Sequence, residues 1–355
     1  MRVVLENSRA AATKPSMIPV SQPSRQPPAW QRELQQAITD PAELLRAVGL
    51  GPEWLEAAHS AARLFPLKVP RGFVDRMRRG DPRDPLLLQV LPLGAEHDAV
   101  PGYVHDPVGD LAARAGPGVL QKYRGRALLV ATGACAVHCR YCFRRHFPYA
   151  EENASRGGFR PALDVLRADP SLREVIVSGG DPLTLGDGRL SALLAGLQEI
   201  PHLRRVRLHS RLPVVLPERI DAGFVAAWSA VKLQKILVVH ANHANEIDTS
   251  VGAAFARLRA TGTTLLNQAV LLRGVNDRRD DLVELSEALF GAGVLPYYLH
   301  LLDPVAGAAH FDVPEAEARR LLDAVAARLP GYLVPRLVRE VPGATSKTML
   351  PPASR

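Results

Sequence analysis

Six short β-rich apolar runs alternate with helical stretches in the second half of the chain, and this rhythm constrains the fold more than any other feature. Helical patterns such as GRLSALLAGLQEI and DDLVELSEALFGAG lie between most of the runs. Strands that alternate with helices indicate a parallel sheet, either an open doubly wound sheet or part of a (β/α) barrel. The runs are ALLVAT (127–132), EVIVSG (174–179), RVRLHS (205–210), KILVVH (235–240), TLLNQAVLL (264–272) and PYYLHLL (296–302).

The conspicuous polar motifs fall where these predicted strands end. A loop with three cysteines follows ALLVAT, SGGDPL closes EVIVSG, HANHANE follows KILVVH, and Asp303 follows PYYLHLL. Ligands of parallel α/β folds bind at the carboxyl ends of the strands. The coincidence therefore predicts one composite active site at that edge of the sheet.

Composition and pattern organise the rest of the chain around this core. The start is rich in Pro, Ser and Gln, which predicts disorder, and Asp40-Pro41 predicts the cap and first turn of a helix. Near the end, a helical pattern and a strand-like LVPRLVREV precede the loop PGATSKTML. The predicted parts are a disordered N-terminus (1–29), a helical extension (30–120), a (β/α) core (121–330) and a C-terminal segment (331–355).

The net charge of +8 raises nucleic acid as a partner. The arginines are scattered, however, only 5% of residues are aromatic, and no RNA-binding signature accompanies them, so we do not expect nucleic-acid binding as the main function. No apolar run approaches the ~20 residues that span a bilayer, and the N-terminus lacks a signal-peptide pattern. We therefore expect a cytoplasmic protein with no membrane partner.

All three cysteines lie in GACAVHCRYCFRRHFPY, residues 133 to 149, with the spacing Cys135-x3-Cys139-x2-Cys142. Three cysteines cannot form a disulfide framework, and their clustering argues against unrelated free thiols. Crowded thiolates select zinc, copper(I) or an iron–sulfur cluster. A structural zinc would need a fourth ligand such as His138 or His146. A four-iron cluster on three thiolates would leave one iron open to a substrate or cofactor, with Phe143 as a shield.

The cysteine spacing after the first barrel strand resembles the radical S-adenosylmethionine (SAM) superfamily, and SGGDPL resembles the glycine-rich motif of that superfamily. The resemblance implies a partial (β/α)6 TIM barrel with a helical extension before it. It also implies a [4Fe-4S] cluster whose open iron binds SAM, and an electron donor such as flavodoxin or ferredoxin. For HANHANE, a structural hydrogen-bonding role is the alternative to SAM contact. The implied SAM-binding residues are Ser178, Gly179, Gly180, Asp181, His240 and Asn242.

Longer segments resemble the lysine 2,3-aminomutase family. They are VLQKYRGRALLVATGACAVHCRYCFRRHF, RLPVVLPERI, NQAVLLRGVND, YYLHLLDPVAGAAHF and the terminal SKT, within a match from about residue 65 to 350. The resemblance implies an isomerase that also uses pyridoxal phosphate (PLP), bound covalently to Lys347 in the short C-terminal segment. The other implied PLP contacts are Lys122 and Arg126, at the PLP phosphate, and Gln268 and Asn276.

Three residues are implied for the substrate. Arg144 matches the family's arginine for the substrate carboxylate, and a planar guanidinium suits bidentate carboxylate binding. Asp303 matches an aspartate that holds a distant ammonium, and Glu340 replaces a second aspartate. Two acids at that end favour an ammonium-tipped substrate, L-lysine. His300 stands where the lysine enzymes carry a tyrosine.

The compact length, KYRGR, HANHANE, Glu340 and SKT resemble one branch, the bacterial enzymes for β-lysylation of elongation factor P. That branch implies conversion of free L-lysine to (R)-β-lysine, which a separate ligase attaches to elongation factor P. Three alternatives stay open: an aminomutase for arginine or ornithine, a PLP-free radical SAM protein, and a zinc-stabilised RNA- or ribosome-binding protein. Assembly into a homo-oligomer is also open.

Overall fold

The computed structural model describes residues 27–155, 158–351 and 353. Most of the predicted disordered N-terminus, residues 1–26, lies outside the described residues. No helix in the described ranges is long and apolar enough to cross a membrane.

Five short helices form the N-terminal extension. Asp40 caps α2 by accepting from the Ala42 amide at 3.1 Å, and Pro41 is its first residue, as the sequence predicts. The helix ends at Gly49, which has a φ of +73°. Trp30 and Phe73, both fully buried, belong to the same hydrophobic core as the strands, so the extension packs as part of the barrel domain. The helices are α1 Ala29–Gln35, α2 Pro41–Val48, α3 Leu55–Leu64, α4 Arg71–Val74 and α5 Pro85–Leu88.

One ten-stranded sheet follows the chain order from β1 to β10. Neighbouring strands from β3 to β9 pair in parallel, whereas β1–β2–β3 and β9–β10 pair antiparallel. The six predicted strands, β3 to β8, are confirmed within one or two residues. The strands are β1 Arg114–Gly116, β2 Val119–Tyr123, β3 Arg126–Thr132, β4 Glu174–Gly179, β5 Arg205–Ser210, β6 Gln234–Val239, β7 Thr264–Val270, β8 Leu295–His300, β9 Arg336–Arg339 and β10 Thr348–Met349.

Helices cover one face of the sheet, and the other face encloses a cavity. In β5, Val206 and Leu208 are fully buried in the hydrophobic core, whereas the alternating Arg207 and His209 line the cavity. Residues of β3, β4, β5, β7 and β8 line this one cavity, and His240 lines it directly after β6, so the sheet curves into the predicted partial TIM barrel. The covering helices are α6 Arg160–Ala168, α7 Asp187–Gln198, α8 Leu212–Val215, α9 Ala222–Ser229, α10 Thr249–Ala260, α11 Arg279–Gly291 and α12 Glu315–Ala326.

Candidate active site

The cavity in the barrel brings the sequence-predicted residues together. Its volume is about 310 Å³, which lies in the range of small-molecule sites. All three cysteines, Lys347 and every other predicted site residue except Asn276 line its wall. Residues far apart in the chain thus meet in one space because the carboxyl ends of β3 to β8 converge there.

The glycines that close β4 let two backbones touch. Gly179 has a φ of +124°, and a Cβ there would lie 2.4 Å from the Thr132 carbonyl oxygen. A Cβ on Gly180 would lie 2.4 Å from the Ala134 carbonyl oxygen. At this close approach, the Gly180 amide donates to Thr132 at 2.7 Å and the Asp181 amide donates to Ala134 at 2.8 Å. The glycine motif therefore fixes the start of the cysteine loop against the end of β4.

The Asp181 carboxylate accepts hydrogen bonds from a side-chain hydroxyl and from backbone amides. One oxygen accepts from Ser210 at 2.8 Å, and the other accepts from the Arg211 amide at 2.7 Å. Burial raises the pKa of Asp181 to about 6 in spite of these donors. The side chain thus joins the ends of β4 and β5. Its contribution to a ligand site is to order the loop in the cavity wall.

Asn242 and His240, both in HANHANE, make different contacts. The Asn242 amide nitrogen donates to Gln89 at 2.9 Å and to Tyr141 at 2.7 Å, so its side chain ties the loop after β6 to the cysteine loop. His240 lies 3.0 Å from the amide nitrogen of Gln268, and burial lowers the pKa of His240 to about 3. Both residues line the cavity, His240 as a neutral imidazole.

The thiols fit an iron–sulfur cluster better than a single metal ion. Within the described ranges, no group of three or more His, Cys, Asp and Glu side chains is arranged to hold one ion. The two candidate zinc histidines are engaged elsewhere: His138 lies 2.8 Å from the Pro66 carbonyl, and His146 lies 3.1 Å from the Ala306 carbonyl and stacks on His105. A four-iron cluster needs only thiolates spread around it, which one loop of three cysteines supplies.

The thiols also lie in surroundings that suit a metal cluster. Burial raises the pKa of Cys142 to about 11, and it raises the pKa of Cys135 well above the ordinary value of a thiol. A buried thiol releases its proton when a metal takes its place, because the metal charge stabilises the thiolate. All three cysteines are free of disulfide bonds.

Lys347 is held in the cavity wall by an ion pair. Its Nζ lies 2.6 Å from Glu340, whose other oxygen accepts from the Tyr123 hydroxyl at 2.5 Å. Burial acts against the Glu340 charge, but Lys347 and Tyr123 still hold the pKa of Glu340 below its ordinary value. The structure thus places Glu340 on Lys347, where the sequence predicts a contact with the substrate. A ligand ammonium reaches Glu340 only when Lys347 leaves it.

Asp110 connects two predicted cations and was missed in the sequence. It lies 2.7 Å from the Lys122 Nζ and 2.6 Å from the Arg144 Nε, and it is 1% exposed. Although burial opposes its charge, Arg144 and Lys122 hold the pKa of Asp110 below its ordinary value. Arg144 is also 3.4 Å from the Ser178 hydroxyl, so its guanidinium is oriented before any ligand binds.

Arg126 differs from Lys122 in what surrounds its charge. Lys122 is paired with Asp110, whereas Arg126 lies 4.6 Å from the centre of the Tyr123 ring and has no carboxylate partner in the described part of the chain. A cavity cation without a counter-charge suits a phosphate group. The predicted phosphate role therefore fits Arg126 better than Lys122.

Asn276 does not lie where a PLP contact requires it. The residue is fully buried, and its amide nitrogen donates to the carbonyls of Asn242 at 2.9 Å and Val270 at 3.0 Å. Its oxygen accepts from the Leu272 amide at 2.8 Å. Asn276 therefore has a structural role behind the cavity wall, because its amide links the loop after β7 to the loop after β6 by hydrogen bonds.

Asp303 and Asp181 are the two cavity carboxylates without an ion pair in the described part of the chain. Burial and the nearby Glu340 raise the pKa of Asp303 to about 7, while the Lys347 charge acts in the opposite direction. A carboxyl with this pKa gains most from an added cation, since the cation removes the cost of its burial. The site thus offers an ammonium group one acceptor, Asp303, and a second when Glu340 is released.

Two histidines bring buried polar atoms to the same wall without protein partners. The Nε2 atoms of His209 and His300 are buried and have no hydrogen-bond partner. Burial lowers the pKa of both well below the ordinary value, so both rings are neutral. The sequence offered one signal for His209, its inward position in the alternation of β5. Unpaired polar atoms at a cavity wall are what a polar ligand would satisfy.

Comparison with known proteins agrees with the motifs. The chain is 50% identical over 335 residues to the L-lysine 2,3-aminomutase of Escherichia coli K12, covering 94% of this chain and 97% of that protein. It is 46% identical to the Haemophilus influenzae L-lysine 2,3-aminomutase, covering 90% and 95%. For the Clostridium subterminale L-lysine 2,3-aminomutase the identity is 32%, covering 91% and 78%.

Two further comparisons are less informative. No family model matches the chain. A radical SAM methyltransferase from Sphaerobacter thermophilus matches with a TM-score of 0.45 and 17% identity, covering 62% of this chain and 68% of that chain. The extended sequence identity is sufficient by itself: the chain belongs to the L-lysine 2,3-aminomutase family.

Proposed function

We propose that the chain is a radical SAM, PLP-dependent aminomutase that moves the α-amino group of L-lysine to the β carbon. Membership of the family makes it an isomerase of this type. The observation that carries the proposal is that one cavity is lined by the three cysteines and also by Lys347, Asp303 and Glu340. The cofactors we assign are a [4Fe-4S] cluster, SAM and PLP.

The charges of the cavity suit lysine bound lengthwise. Arg144, fixed by Asp110 at 2.6 Å, offers its guanidinium to the substrate carboxylate. Asp303 accepts the distant ammonium, and this cation would lower the Asp303 pKa from about 7 and keep the carboxyl ionised. Glu340 would be free to join Asp303 when its ion pair with Lys347 is broken. A substrate with a carboxylate at one end and an ammonium at the other satisfies both groups.

When bound, the cluster with SAM supplies a carbon radical that takes hydrogen from the substrate, and PLP supplies the conjugated ring that holds the migrating amine. The protein's residues position these parts. Cys135, Cys139 and Cys142 would hold the cluster, Arg126 would bind the PLP phosphate, and Lys347 would attach PLP covalently. The walls exclude water, and a closed site protects a radical from quenching.

We propose further that the product is (R)-β-lysine for modification of elongation factor P by a separate ligase. The support is KYRGR, HANHANE, Glu340 and SKT, which resemble that branch. Free thiols and an oxygen-sensitive cluster favour the cytoplasm, with a flavodoxin or ferredoxin as electron donor.

The experiment uses anaerobically reconstituted protein with SAM, PLP and dithionite. L-lysine, L-ornithine and L-arginine are supplied in turn, and chiral mass spectrometry identifies each β-amino acid. We expect (R)-β-lysine as the dominant product and its loss in Cys139→Ala and Lys347→Ala. Dominant β-ornithine or β-arginine would contradict the substrate, and (S)-β-lysine would contradict the elongation factor P branch.

A further inference from the structure

Arg211 donates a hydrogen bond to one of the cysteine sulfurs. It follows β5 directly, its side chain is 5% exposed, and its Nη1 lies 2.7 Å from the Cys139 Sγ. Among the described residues, no other guanidinium or ammonium group donates to a cysteine sulfur. Cys139 is therefore distinguished from Cys135 and Cys142 by a cationic donor.

The guanidinium is held in this position by groups other than the sulfur. Its Nη2 donates to Gln89 at 2.6 Å and to Glu246 at 3.1 Å. Glu246 is fully buried and in turn accepts from the Gln89 amide at 3.1 Å and the Asn242 backbone amide at 2.9 Å. The backbone amide of Arg211 is anchored on Asp181. The position of Nη1 is thus set by a rigid buried network.

The same network reaches the backbone of the cysteine loop. The Arg140 amide, next to Cys139, donates to the Gln89 carbonyl at 2.9 Å. Gln89 thereby fixes both the donor side chain and the loop that carries the acceptor sulfur. The N–H to sulfur contact is built into the fold from two directions, and the site does not depend on a flexible surface arginine.

We infer that Arg211 is a positioning residue that raises the reduction potential of the iron–sulfur cluster through its hydrogen bond to Cys139. The inference rests on the proposed function, in which the three cysteines hold that cluster. Reduction adds one electron from the external donor to the cluster and breaks no bond. A buried cation that donates to a ligand sulfur stabilises the added negative charge, so reduction becomes easier.

Glu246 opposes this effect and makes the sign testable. Its carboxylate pairs with Arg211 at 3.1 Å, so part of the guanidinium charge is neutralised before it reaches the cluster. Removing Arg211 takes away the donor and leaves the negative charge of Glu246 behind. Removing the charge of Glu246 leaves the donor with a larger effective charge. The two substitutions are therefore expected to move the potential in opposite directions.

Arg76 supplies a matched control. It lies over the same Phe73 ring as Arg211, at 5.2 Å against 5.5 Å, and it donates to the Glu246 carbonyl oxygen at 2.6 Å. It makes no bond to a cysteine sulfur. Arg76→Gln thus removes one buried positive charge from the same neighbourhood and leaves the bond to Cys139 intact.

The test is an EPR-monitored redox titration of the reconstituted full chain without SAM, after iron and sulfide analysis. Arg211→Gln is expected to shift the midpoint potential to more negative values, and by more than Arg76→Gln. Glu246→Gln is expected to shift it to more positive values. An unchanged potential in Arg211→Gln, or a shift equal to that of Arg76→Gln, would overturn the inference.

Arg211→Lys gives a second measurement if the Gln variant takes up no cluster. A single ammonium keeps the charge but cannot bridge Cys139 and the Gln89–Glu246 pair as a guanidinium does. We expect a smaller shift in the same negative direction, and an unchanged potential would refute the role of the bond. Wild-type protein without iron and sulfide would refute the proposed function itself, which separates the two failures.

Discussion

Gly180→Ala should disrupt the active site by displacing the cysteine loop. An alanine Cβ there would lie 2.4 Å from the Ala134 carbonyl oxygen and 2.8 Å from the Gly133 carbonyl carbon. Both are backbone atoms of the cysteine loop, so no side chain can rotate away to make room. The loop must therefore move away from β4.

The size of the effect combines a steric clash with two weakened hydrogen bonds. Overpacking a rigid site costs about 1–3 kcal/mol, and a clash with backbone belongs at the upper end. Moving the loop also breaks or stretches the two hydrogen bonds to Thr132 and Ala134, at 2.7 and 2.8 Å, each worth roughly 1 kcal/mol. We expect the free energy of unfolding to fall by roughly 3–5 kcal/mol.

The assay compares urea unfolding of the cluster-free proteins, followed by the iron content after reconstitution. Gly252→Ala is the control, because Gly252 lies inside α10 and a Cβ there meets nothing within 4 Å. That change should raise stability by about 0.5–1 kcal/mol. A Gly180→Ala protein with wild-type stability and full iron content would refute the argument that the glycine motif positions the cysteine loop.

Three further predictions concern the charges of the cavity. Asp303→Asn should stabilise the ligand-free protein at pH 8 by roughly 2–4 kcal/mol and leave its stability unchanged at pH 3. Burial raises the folded-state pKa of Asp303 to about 7, so the carboxyl destabilises the fold only at pH values above its unfolded-state pKa. Urea titrations at both pH values check this. Glu340→Gln should reduce the loss of stability on acidification. The lowered pKa of Glu340 gives a stabilisation of the fold that is present above the unfolded-state pKa and is lost as the pH falls through the folded-state pKa. Thermal midpoints between pH 3 and 6 that match the wild type would contradict this prediction. Arg144→Lys should raise the KM for lysine at least about tenfold in steady-state assays, with a smaller change in kcat, because an ammonium cannot form the bidentate contact; an unchanged KM would remove Arg144 from the carboxylate site.

The strands were predictable because their patterns are local. The apolar runs from ALLVAT to PYYLHLL coincide with β3 to β8, since buried parallel strands need short β-rich segments between helices. The strands β1, β2 and β10 were not assigned. They are two to five residues long, and their pairing depends on the neighbouring strand more than on their own composition.

The site was predictable as a set of residues but not as a set of contacts. The cysteines and Lys347 were found through motifs, and the structure brings them to one cavity. The ion pair of Glu340 with Lys347 joins residues seven apart in the chain, across the turn between β9 and β10. No sequence pattern shows which of several nearby cations a carboxylate will pair with. Asp110 and Arg211 act through partners distant in sequence, so spacing carries no signal for them.

The migration of one nitrogen atom tests the central claim most directly. L-lysine labelled with ¹⁵N at the α-amino group is incubated with the fully reconstituted protein, and the product is analysed by ¹³C–¹⁵N NMR and mass spectrometry. We expect β-lysine with the label on carbon 3 and no release of ammonia. Label retained on carbon 2 in spite of SAM cleavage, or label released as ammonia, would contradict an aminomutase.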